Sequence, residues 1–95
     1  VVFPDADLAQ AIPGIAMAGF LLQGQNCVCG SRVFVHEKVA REVADGVAAF
    51  ARNMAIGGGF EPGTMIGPVI SREQRDRIER LVATAQPEGA RLLTG

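Results

Sequence analysis

An excess of charge of either sign is missing from this chain: 9 basic residues face 10 acidic ones, for a formal net charge of -1. There is no basic run and no interleaving of basic with aromatic residues, so the electrostatic footprint of a nucleic-acid-binding protein is absent. Histidine occurs once, at His36, and the two cysteines lie one residue apart. A structural metal site wants four ligands, and Cys27-Val28-Cys29 brings no second pair, so no metal is expected. The C-x-C spacing is neither a disulfide framework nor the C-x-x-C redox motif. A reducing, cytoplasmic compartment is the expected setting. The longest apolar-rich stretch, Ala11 to Leu22, contains Pro13 and Gly14 and is too short to span a bilayer. The first residues carry no positive charge, so no secretory leader is expected there.

Ninety-five residues, 48% of them hydrophobic, allow one small domain with a modest core. Val1 to Phe3 is an apolar run ended by Pro4 and predicts a buried strand. Asp5 or Asp7 then offers an N-cap, with Leu8, Ile12, Ile15 and Phe20 along one face of a helix kinked at Pro13 and running to about Leu22. Ser31 to Val35 predicts a second buried strand. A long helix follows over about 37–55, with Val39, Val43, Val47, Phe50 and Met54 as its core stripe. His36, at its start, reads as a capping or exposed residue. Gly57-Gly58-Gly59 breaks that helix, but it follows no strand and lacks the G-K-[ST] ending of a phosphate loop. Ser71-Arg72-Glu73-Gln74 is a capping box that starts a third helix, with Ile78, Leu81, Val82 and Ala85 as its stripe. Ala90 to Thr94 predicts a last strand. The order β-α-β-α-α-β predicts an α/β fold, a parallel sheet with flanking helices.

The stretch Gln23-Gly24-Gln25-Asn26-Cys27-Val28-Cys29-Gly30-Ser31-Arg32 joins the first helix to the second strand and holds both cysteines. A polar, glycine-bearing turn between buried elements presents a side chain to a cleft on a rigid backbone. The bland alternative is a pair of small buried thiols. Gly24-Gln25-Asn26-Cys27 followed by Gly30-Ser31-Arg32 resembles the active-site cysteine signature of the aldehyde dehydrogenase superfamily. Val2-Phe3-Pro4-Asp5-Ala6-Asp7-Leu8, Pro62-Gly63-Thr64-Met65-Ile66-Gly67-Pro68-Val69-Ile70-Ser71 and Glu88-Gly89-Ala90-Arg91-Leu92-Leu93-Thr94-Gly95 are similar to three further segments of that family, in the same order.

The resemblance implies that residues 1–95 are part of the catalytic domain of an NAD(P)-dependent aldehyde dehydrogenase, without its cofactor-binding domain. It implies Cys27 as the nucleophile, its backbone N–H as an oxyanion donor, and a thiohemiacetal that becomes a thioester. It implies that Gln74 contacts the ribose of NAD or NADP, a role that competes with capping for the same side chain. It also implies a small aldehyde as substrate, no membrane partner, and a homo-oligomer for the full-length enzyme. The family's glutamate base and second oxyanion donor have no counterpart here, so no turnover is expected from this chain alone. Phe20 to Gln23 is the one local candidate for lining an aldehyde tunnel. Arg32 reads as a strand anchor or the partner of a carboxylate, and the rival to the whole reading is a non-catalytic structural or assembly piece of a degenerate dehydrogenase.

Overall fold

Asp7 opens the first helix: its Oδ1 accepts from the Ala9 N–H at 3.0 Å, satisfying one of the donors that a helix start leaves free. The computed structural model describes residues 1–95 and contains α1 (Leu8–Phe20), a single 3-10 turn (Leu21–Gly24), α2 (Glu37–Arg52) and α3 (Arg72–Ala85). Pro13 lies inside α1, which continues through it. The helix ends at Phe20, short of the expected Leu22: Leu21 swings out to ψ 140, and Leu22 (φ 55) and Gln23 (φ 58) then turn left-handed.

His36 caps α2, its Nδ1 accepting from the Lys38 N–H at 3.2 Å. This helix stops at Arg52, three residues before the expected end, where Asn53 takes the cap position and donates its side-chain amide to the Ala49 carbonyl at 2.9 Å. Helix α3 begins at Ser71, whose Oγ accepts from the Gln74 N–H at 3.2 Å. The expected return bond from the Gln74 side chain is not made. The neighbouring Glu73 carboxyl is held below the usual glutamate range by its own backbone N–H and the Ser71 hydroxyl.

The parallel sheet expected from the sequence is not formed. Two isolated parallel bridges, Val2 with Val35 and Ile56 with Ile66, are all that stands in its place. At the first, the Val2 N–H donates to the Phe34 carbonyl at 2.8 Å and the His36 N–H to the Val2 carbonyl at 3.0 Å. This is the β-α-β connection in direction, reduced to one rung. A strand is stabilised by neighbours on both edges and cover on both faces. Here Val1, Phe3 and Phe34 stay more than half exposed, so the runs that read as buried strands have no sheet to enter. Residues 90–94 pair with no strand, and the Leu93 carbonyl accepts from the Arg52 guanidinium at 2.8 Å.

The core lies where α1 crosses α2. Val2, Ala16, Val43, Ala48 and Met54 are its buried members. Gly46 makes the crossing close: a Cβ built there would stand 2.6 Å from Ile12 Cδ1. Of the expected α2 stripe, Val43 and Met54 are buried and Val39, Val47 and Phe50 partly so. Helix α3 has no buried residue, and its stripe of Ile78, Leu81 and Val82 remains uncovered.

Candidate active site

The last turn of α1 and the cysteine loop are joined by two contacts. Gly30 donates its N–H to the Ala18 carbonyl at 2.9 Å, and the Cys29 thiol lies 3.8 Å from the Gly19 carbonyl. Both acceptors belong to the set a helix C-terminus leaves free, so the loop caps the helix that precedes it. Gly30 sits against Ala18 closely enough that a Cβ would meet the alanine methyl at 3.3 Å. Cys29 is consequently half-buried, while Cys27 is exposed, and neither forms a disulfide.

Asn26 organises the turn around Cys27. Its Oδ1 accepts from the Val28 N–H at 3.2 Å, its carbonyl accepts from the Cys29 N–H at 3.1 Å, and the Cys27 thiol faces the same Oδ1 at 3.7 Å. Such side-chain-to-backbone bonds let an asparagine shape a turn without secondary structure. The backbone N–H of Cys27 donates to no acceptor in the chain. An exposed thiol thus lies beside an unpaired N–H on the same residue.

The segment leading into this loop is held by its glutamines. Gln25 Oε1 accepts from the Ile70 N–H at 3.1 Å. Gln23, with its amide in the orientation that satisfies both of its polar atoms, accepts from the Gly67 N–H at 2.9 Å and donates to the Leu22 carbonyl at 3.1 Å. Sequence reasoning missed this pairing. Gly24, at φ 69, is the one residue whose type signals the left-handed turn, since leucine and glutamine carry no preference for it.

The remaining expected site residues lie as follows. Gln74 is half-exposed on the first turn of α3, and its side-chain amide is unbonded within the chain. Arg32 is exposed and pairs with no carboxylate, against the anchoring role expected of it. Phe20 lines an apolar cavity of about 470 Å³ with Ile15, Val33, Val43 and Leu93, and Cys27 lines none of the five principal cavities. No group of three or more His, Cys, Asp or Glu side chains is arranged to hold a metal. No helix is long and apolar enough to cross a membrane.

Helices around a one-rung parallel crossover, presenting one exposed thiol on an anchored turn, define the class: a segment built around a cysteine loop. The family model described as the aldehyde dehydrogenase family matches residues 1–95, and the chain belongs to that family. It is 39% identical over 95 residues to the chloroplastic betaine aldehyde dehydrogenase of Beta vulgaris, covering all of this chain and 19% of that one. An aldehyde dehydrogenase of Bacillus cereus, solved as its NAD+ complex, superposes with a TM-score of 0.94 at 38% identity, over 99% of this chain and 19% of that one. A mutant of aldehyde dehydrogenase C from Pseudomonas syringae, solved with NAD+ and octanal, gives 0.93 at 31% identity, over 99% and 19%. The chain spans about a fifth of the length of these relatives.

Proposed function

We propose that this chain carries the nucleophile of an NAD(P)-dependent aldehyde dehydrogenase, and that the nucleophile is Cys27. The observation that carries the reading is the exposed Cys27 thiol beside its own unpaired N–H, on a loop tied down at both ends. As thiolate, Cys27 attacks the aldehyde carbon, forming the carbon–sulfur bond of a thiohemiacetal and placing negative charge on the former carbonyl oxygen. The Cys27 N–H, which donates to no acceptor in the chain, is the donor this reading assigns to that oxygen. NAD or NADP, when bound, would supply the hydride acceptor; Cys27 would then hold the acyl group as a thioester until water releases the carboxylic acid. On this reading the side-chain amide of Gln74, unbonded within the chain, would contact the ribose of that cofactor. The setting we assign is the cytoplasm, where both thiols stay reduced, and the full-length enzyme we infer is a homo-oligomer acting on a small aldehyde.

Residues 1–95 form part of the catalytic domain in this reading, and the chain by itself does not turn over. The inactivity we propose is supported by the cysteine loop's hydrogen bonds, none of which involves a carboxylate that could serve as base for thioester hydrolysis. Two measurements test the proposal. Limited iodoacetamide followed by peptide mapping is expected to label Cys27 ahead of Cys29, and the reverse order would assign the wrong sulfur. The 95-residue polypeptide, given an aldehyde with NAD+ or NADP+, is expected to show no steady-state rise in absorbance from reduced cofactor. Sustained turnover would refute the second claim while leaving the first standing.

A further inference from the structure

We propose that Gln23 and Gln25 are positioning residues: their two side chains clasp the cysteine loop to the 67–70 segment, and the clasp decides which of the two sulfurs faces outward. The proposal rests on the reading of Cys27 as the nucleophile.

The 67–70 segment has few donors to give, since Pro68 has no N–H. Its Gly67 and Ile70 N–H groups both go to glutamine oxygens from one short stretch, at 2.9 and 3.1 Å. Gln23 makes its bond from a left-handed backbone. A non-glycine residue holds that conformation only where its surroundings over-determine it, and the two bonds of the Gln23 amide supply the constraint. The far end of the loop is fixed independently by Gly30 on the Ala18 carbonyl. Residues 26–29 are therefore spanned between two anchors, and their own turn bonds leave one register: Cys27 outward, Cys29 toward Gly19. With the Gln25 anchor released, the backbone of Cys29 and Gly30 keeps its bonds to Asn26 and Ala18, the Cys29 sulfur has only a weak contact at 3.8 Å, and residues 26–28 lose their fixed end. Ile70 also precedes Ser71, the cap of α3, so the clasp is a short path between Cys27 and Gln74.

The test uses the 95-residue chain, iodoacetamide as the probe, and the ratio of labelling at Cys27 to that at Cys29. Gln25→Met keeps the length of the side chain and removes the acceptor. The ratio is expected to fall about fivefold, the scale of one net hydrogen bond, and the Ile70 amide to exchange faster by NMR. Gln25→Glu, which keeps an oxygen acceptor, is expected to restore both. An unchanged ratio with unchanged Ile70 protection in Gln25→Met overturns the clasp. So does faster labelling of both cysteines with a lowered Tm and no recovery in Gln25→Glu, which describes a general loss of stability. A ratio that responds as expected while wild-type Cys27 reacts no faster than a free small thiol supports the clasp and removes the nucleophile reading.

Discussion

Leu22 occupies the left-handed region at φ 55 and ψ 37 with a side chain that is 55% exposed. It therefore bears the strain of that conformation without deep burial in return. Asparagine enters this region far more readily, so Leu22→Asn is expected to stabilise the chain by about 1 kcal/mol, read as a rise in Tm by circular dichroism. An unchanged or lowered Tm would show that the leucine side chain contributes more packing than its exposure indicates. Ser71 offers a second reading at this scale. Its hydroxyl both caps α3 and helps to hold the Glu73 carboxyl low. A depressed folded-state pKa contributes stability above the unfolded value that is lost as pH falls through the folded one. Ser71→Ala is expected to shift Glu73 back up in an NMR titration and to weaken the helix start by about 1 kcal/mol. The caps at Asp7, His36 and Ser71 were legible because serine, aspartate and their like have one local job at a helix start. The left-handed pair at 22 and 23 was not, because tertiary bonds to Gly67 and other neighbours impose what residue type opposes.

Helices were legible as elements and strands were not, for a reason visible in their hydrogen bonds. A helix satisfies its backbone from within, so caps and periodicity suffice to place α1, α2 and α3 to within a few residues. A strand needs another strand, and the side chains of Val33, Phe34 and Leu93 remain exposed where pairing goes no further than a single bridge or a side-chain bond. Their apolar character states what they are suited to pair with and not that the pairing occurs within these 95 residues. The α1–α2 crossing yields its own prediction. In a helix interior Gly→Ala ordinarily gains about 1 kcal/mol, but at Gly46 the new methyl would stand 2.6 Å from Ile12 Cδ1. Gly46→Ala is therefore expected to gain little or to destabilise. Combined with Ile12→Val, which removes that Cδ1 but keeps the two Cγ atoms at 3.2 and 3.3 Å, Gly46→Ala is expected to cost less than it does beside Ile12. Additivity of the two changes in thermal unfolding would mean that the crossing is looser than this geometry.

Five buried residues make a small core for a whole molecule of 95. Domains of this size are marginal even when well packed, and this chain leaves Ile70, Ile78, Leu81 and Val82 open to water. Low denaturant midpoints and binding of a hydrophobic dye are expected, and a midpoint typical of a well-packed domain would contradict the burial. Changing Leu81 to Gln, 60% exposed on α3, is expected to alter stability by less than about 0.5 kcal/mol here. The family to which the chain belongs was legible in four short segments in order, since sequence alone carries that kind of likeness. The arrangement of the cysteine loop was not, because it depends on bonds between residues 23–25 and 67–70 that no local pattern announces. The half-buried thiol that closes the end of α1 carries a consequence for handling the protein in air. Peroxide that converts Cys29 to a sulfinate would set negatively charged oxygens against the Gly19 carbonyl where a hydrogen now points, so oxidative ageing would fray the helix as well as consume a thiol.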